Sequence, residues 1–211
     1  MKMKILALFG PIGMICSGIA KGAEPFKDEV LGVTFPQQIG KLRLKQQQMY
    51  QEQGLGYSMR YEDEHLFKVD VYIYDKNLPD IGEGTNSMRL TDEFASVIKV
   101  FSMMEQTGKY NDVKNLDQGS TAYPQGSLQF LWHRCQYRQS AGEGVAYLGV
   151  CVSETYLSAK SGKFVKVRLT LTEQEFKERQ SEISGFVKHF ATILGSLHSA
   201  RGDTRGRAPQ P

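Results

Sequence analysis

The chain has 211 residues, with 26 Lys and Arg against 23 Asp and Glu and a formal charge of +3. This near balance excludes the strong basic field that nucleic acid or an anionic membrane surface would require. Hydrophobic residues make up 40% and charged residues 23%, which excludes a disordered or low-complexity chain and fits a folded domain.

The first two dozen residues read as a secretory signal. Met1-Lys2-Met3-Lys4 is a short positive start, Ile5 to Ile19 is apolar but interrupted by Gly10-Pro11, and small residues follow at Gly18, Ala20, Gly22 and Ala23. A membrane-spanning helix needs roughly 20 predominantly apolar residues, and this stretch is shorter and broken. Small side chains one and three residues before a cut favour cleavage after Ala20 or Gly22. An alternative is lipidation at Cys16, but the preceding Gly13-Met14-Ile15 places a bulky Ile where a lipobox takes a small residue. Cleavage after Ala20 removes Lys2 and Lys4 and lowers the charge from +3 to +1, and cleavage after Gly22 also removes Lys21 and reaches zero. The expected organisation is a signal over 1–22, one domain over 24–198 and a disordered tail over 199–211, where Ser, Gly, Arg and Pro dominate.

Within the domain, Val30 to Phe35 and Lys41 to Tyr50 are predicted strands. Leu55 to Glu62 and Phe67 to Asp75 are predicted to form a hairpin across Asp63-Glu64-His65-Leu66. In the second of these strands Phe67, Val69, Val71 and Ile73 alternate with Lys68, Asp70, Tyr72 and Tyr74, so one face is buried and the other amphipathic. A Gly/Pro/Asn loop from Lys76 to Arg89 precedes a helix with Phe94, Val97, Ile98, Phe101 and Met104 on one stripe, capped by Thr91 or Asp92 and ended by Gly108. Asn111 to Leu116, Ser127 to Gln139, Val145 to Leu157 and Lys163 to Leu171 are further strands. Thr172 and Glu175 stand in capping-box register at the start of a last helix whose core stripe is Phe176, Ile183, Phe186, Val187, Phe190, Leu194 and Leu197.

Two cysteines follow the signal. If Gly142-Glu143-Gly144 is a three-residue hairpin loop, Ala141 lies opposite Val145 and Cys135 lies opposite Cys151. Directly opposed residues have Cβ atoms about 4.5–5.5 Å apart, close enough to bridge, and an oxidising compartment favours the bond. A Cys135–Cys151 disulfide is therefore expected, structural rather than redox-active because Cys-X-X-Cys spacing is absent.

Short turns make neighbouring strands antiparallel, and the cysteine hairpin is apolar on both faces, so one helix must cover each face. The predicted fold is α+β, a three-layer α/β/α sandwich around a mainly antiparallel sheet with two principal helices. This order of strands, helix, hairpin meander and closing helix over roughly residues 30 to 197 resembles the Mog1/PsbP-like fold, including small exported proteins of the DcrB type. The segments Leu55-Gly56-Tyr57-Ser58-Met59-Arg60-Tyr61-Glu62 and Lys68-Val69-Asp70-Val71-Tyr72-Ile73-Tyr74-Asp75 are similar to those of exported proteobacterial proteins. The resemblance implies a binding or assembly factor and carries no site.

Several catalytic signals dissolve on inspection. Ser96 and Lys99 match Ser-x-x-Lys and Lys160-Ser161-Gly162 a partner element, but Ser96 lies inside the helix and away from its apolar stripe. His133 and Cys135 share a strand face and are too few for a closed metal site. Asp75, Asn77, Asp80 and Glu83 depart from the spacing of a calcium loop. Arg201-Gly202-Asp203 is a short match in a tail, and His189 and His198 fall at exposed or edge positions. No catalytic residue, metal or cofactor is expected. The surviving candidate is a recognition surface of Tyr57, Tyr61, Tyr72 and Tyr74 with Asp75, Asp80 and Glu83 of the long loop, since tyrosine offers apolar area with a polar tip. Its competitor is burial of those rings beneath a helix. The functional expectation is a periplasmic binding or envelope-assembly module whose partner is a protein or envelope component and not nucleic acid, with a small hydrolase assembled from several strands as the alternative.

Overall fold

A computed structural model describes residues 25–65, 67–123, 128–139 and 149–195. The expected signal over 1–22, the expected tail over 199–211, Leu197, His198 and the expected loop between the cysteine strands lie outside the described residues.

Alternating sequence builds the strands. Among the described residues there are ten: β1 (Phe26–Asp28), β2 (Val33–Phe35), β3 (Gln38–Ile39), β4 (Leu42–Met49), β5 (Tyr57–Glu62), β6 (Lys68–Tyr74), β7 (Tyr110–Ala122), β8 (Gln129–Gln139), β9 (Val150–Lys160) and β10 (Lys163–Thr172). β1 and β2 form a small hairpin. The rest form one antiparallel sheet in the order β3-β4-β5-β6-β10-β9-β8-β7. After β6 the chain crosses to the far edge through α1 (Met88–Gln106), and after β10 it returns through α2 (Glu173–Glu178) and α3 (Gln180–Gly195). The α+β class and the layered arrangement agree with the sequence.

The two helical layers are offset. α3 covers one face of the β4–β5–β6–β10 half, where Ile183, Phe186, Val187 and Phe190 pack on Tyr61, Val69, Val71 and Val167, and Phe190 stacks on Phe35 at 5.7 Å. Each such fully buried large side chain is worth roughly 1.5–3 kcal/mol relative to exposure. α1 covers the opposite face, with Leu90 over Phe164 and Ala159 and Phe101 against Tyr110, His133 and Tyr137. On the α3 face this leaves the β7–β8–β9 half under the short α2 alone.

Two local expectations about the helices change. α1 starts one turn earlier than Thr91, behind Ser87, whose side chain makes no cap bond. The last helix has the expected Thr172/Glu175 capping box but breaks at Arg179 into two pieces. Arg179 bridges the break, donating to Asp63 at 2.7 Å and to Glu182 at 3.0 Å.

The cysteine hairpin is two residues out of the expected register. Cys135 lies opposite Ser153 and Cys151 opposite Tyr137, so the thiols are diagonal neighbours on the α1 face, both buried and unbonded. The expected disulfide is absent. Burial pushes the Cys135 thiol up to about 12 and raises that of Cys151, which makes both poor nucleophiles.

Candidate functional site

The tyrosine surface expected from sequence does not form. Tyr57 lies opposite Ile73 and Tyr61 opposite Val69, and direct partners share a face, so these two rings turn under α3 and the β1–β2 hairpin. The Tyr61 hydroxyl donates to the Pro36 carbonyl at 2.9 Å, and that of Tyr57 to Asp28. Tyr72 and Tyr74 occupy the other face, and all four are buried. The Tyr74 hydroxyl donates to Glu93 of α1 at 2.8 Å, and Lys76 closes an ion pair with the same carboxylate.

The loop acids do not converge either. Asp75 pairs with Lys163 and accepts the Asn77 N–H, Glu83 accepts the Ser161 N–H at 3.1 Å, and Asp80 is exposed. These contacts pin the loop to the β9–β10 turn. Among the described residues no three His, Cys, Asp or Glu side chains stand close enough to hold a metal, and no described helix is long and apolar enough to cross a membrane. Ser96 is exposed and its hydroxyl donates to the Asp92 carbonyl.

The α1 face instead buries a row of polar residues from neighbouring strands. Lys166 of β10 is 3% exposed. Its ammonium lies 4.3 Å from the Tyr72 ring centre and 5.5 Å from that of Tyr74. Desolvation, reinforced by the positive charge of Arg168, lowers its pKa to about 7. Next to it run Arg168, Thr155 and His133, directly paired across three strands. His133 is hydrogen-bonded to Asn115 through Nε2 at 3.0 Å, while its Nδ1 and the Thr155 hydroxyl have no hydrogen-bond partner among the described residues. Lys166, Thr155 and His133 are buried beneath α1, whereas Arg168 is half-buried.

An open site lies on the other face, in the half that α3 does not reach. Arg134 of β8 and Glu154 of β9 are direct cross-strand partners. Arg134 donates to Glu154 Oε1 from Nε at 2.9 Å and from Nη2 at 2.6 Å, and the Tyr156 hydroxyl donates to Oε2 at 2.9 Å. The guanidinium sits over Phe176 of α2 at 4.8 Å and near Trp132 at 5.6 Å. Arg134, Glu154, Tyr156 and Trp132 line, with Thr121 and Tyr123, a depression of about 130 Å³. Gly119 makes the wall possible. It lies opposite Trp132, and a Cβ there would stand 3.1 Å from the indole nitrogen, so the absent side chain lets the indole lie across β7. A larger depression of about 400 Å³ at Gly149, Val150, Thr172, Glu173, Gln174 and Lys177 has no buried charge at its floor.

Sequence reasoning missed Arg134 and Glu154 because the assumed hairpin register set them two residues apart. The pairing of opposite charges across the hairpin was the available signal.

No protein-family model matches the chain, and no curated protein matches it. Among solved structures it is similar to the solution structure of cyanobacterial PsbP (CyanoP) from Synechocystis sp. PCC 6803. The identity is 14% and the TM-score 0.46, with 84% of this chain and 96% of that chain covered.

Proposed function

We propose that this chain is a non-enzymatic binding module of the cell envelope, exported by its N-terminal segment, and that its recognition site is the Arg134/Glu154 depression. The observation that carries the reading is the combination of an open, aromatic-walled hollow with a preformed ion pair at its floor. Such hollows seat one side chain of a partner, because aromatic walls supply apolar area and fixed polar groups set orientation. A volume of about 130 Å³ suits a side chain better than a whole substrate, as small-molecule sites run to roughly 300–1,000 Å³. The serine and cysteine side chains considered from sequence have poor nucleophile settings: Ser96 bonds within its own helix, and both thiols are buried beneath α1.

The test is a photo-crosslinking amino acid at Tyr123 in living cells. The reading expects one recurrent protein adduct, lost when Gly119→Val pushes the indole off the strand. Adducts indifferent to Gly119→Val would refute it. Export is tested separately: mass spectrometry of the envelope fraction should find a chain starting at residue 21 or 23, and an intact Met1 confined to the cytosol would refute that part.

A further inference from the structure

We infer that the group this depression selects on its partner is a carboxylate. The inference rests on the binding reading above and names the chemistry of the occupant. The two charges at the floor are unequally available. Glu154 is 2% exposed, with Oε1 accepting two N–H bonds from Arg134 and Oε2 accepting the Tyr156 hydroxyl. The Arg134 side chain is 29% exposed. Of the five N–H donors of a guanidinium, the Nε donor and one on Nη2 are spent on Glu154. Among the described residues the donors of Nη1 and the second of Nη2 make no hydrogen bond. The open charge of the pair is therefore the cation, and the anion serves to hold it.

The guanidinium is also fixed in place. Glu154 grips one edge, and the Phe176 and Trp132 rings restrain its plane. A planar fork held in advance loses little freedom on binding, and its free edge matches the two oxygens of a carboxylate. The Trp132 and Tyr123 walls add an apolar surface beside that edge. The occupant is thus an acidic group carried next to an aromatic or aliphatic body, which a peptide supplies either as a C-terminal carboxylate or as an Asp or Glu side chain with an apolar neighbour. A cationic occupant is disfavoured because it would meet Arg134 before it reached Glu154.

Trp132 is the one tryptophan of the chain, so its indole N–H signal in a nitrogen-correlated NMR spectrum reports this site alone. Four probes are titrated into the full domain: N-acetyl-phenylalanine, its amide, phenethylammonium, and N-acetyl-aspartyl-phenylalanine amide. The expected result is a saturable shift of the indole signal with both acids, at least tenfold tighter than with the neutral amide or the amine, and the tighter of the two acids identifies the source of the carboxylate. Arg134→Gln combined with Glu154→Gln keeps the floor neutral and folded, and should erase the preference for acids; Arg134→Lys should retain only part of it. Equal binding of the neutral amide, or tighter binding of the amine, would overturn the carboxylate assignment while leaving the depression as a binding site. No saturation by any probe up to about 50 mM, weaker than any useful affinity, would overturn both.

Discussion

Lys166 sets a pH dependence that a single substitution should abolish. Its ammonium is buried under α1 among Tyr72, Tyr74 and Asp70 of β6, Arg168 of its own strand, Glu93 of α1, and Lys76 just after β6. Desolvation leads the causes that lower its pKa from 10.5 to about 7. The unfolded chain thus holds this proton up to about pH 10 while the folded chain releases it near 7. In that window the unfolded state binds more protons, so stability rises with pH. Each unit is worth about 1.36 kcal/mol, which gives about 3 kcal/mol between pH 6 and 9 and an upper limit of about 5 kcal/mol over the whole window. Lys166→Met keeps the apolar stem and removes the charge. It forfeits a cation–π contact worth about 0.5–2 kcal/mol, so the variant should be about 2–3 kcal/mol more stable than the parent at pH 6. That advantage should disappear at pH 9. Urea unfolding followed by Trp132 fluorescence at both pH values measures this, and the difference between the two chains cancels every contribution they share. A variant less stable than the parent at pH 6 would show that the ammonium is held by compensating charge, and would refute the reasoning.

Four further outcomes follow from other positions in the fold. At pH 8 a maleimide or iodoacetamide should label neither Cys135 nor Cys151 in the folded protein and both in urea without reductant, whereas a disulfide would block labelling in urea too. Thr155→Val removes a buried hydroxyl that has no partner among the described residues and keeps the branched shape, so unfolding should show equal stability or a gain of up to about 1 kcal/mol; a loss above that would mean the hydroxyl is satisfied. Gly56→Ala should cost more than about 3 kcal/mol, since φ is +62° and the new Cβ would lie 1.9 Å from the Ile73 carbonyl oxygen. Gly40→Ala, at φ +59° with open space around it, should cost only about 1–2 kcal/mol.

Two register errors of different size explain what was lost between sequence and site. The cysteine hairpin is displaced by two residues from the expected register, and because side chains alternate with period two, the described residues keep their faces while their partners change. Cys135 and Cys151 kept their common face and lost their bond, and Arg134 lost sight of Glu154. The β5–β6 hairpin was displaced by one. Its loop closes with the Asp63 N–H on the Phe67 carbonyl at 3.0 Å, and the Asp63 carboxylate accepts the N–H groups of His65 and Phe67 at 2.8 and 2.9 Å. Glu62 therefore lies opposite Lys68, whereas a four-residue turn over 63–66 would set it opposite Phe67. That single step carried Tyr57 and Tyr61 to the face opposite Tyr72 and Tyr74 and divided the expected surface.

Sequence by itself determined the class of the fold: the alternation of Val69, Val71 and Ile73 with Asp70, Tyr72 and Tyr74, the α1 stripe, and the Thr172/Glu175 capping box are local signals, each set by the geometry of one element. Tertiary structure alone decided which half of each face the helices leave uncovered, and therefore that Arg134 meets solvent while Lys166 is sealed. Both are cations on alternating strands, and alternation says which side chains share a face but not whether a helix covers it. The distinction arises because α3 ends its coverage at β10 whereas α1 lies across the opposite face, an outcome of packing many apolar side chains at once.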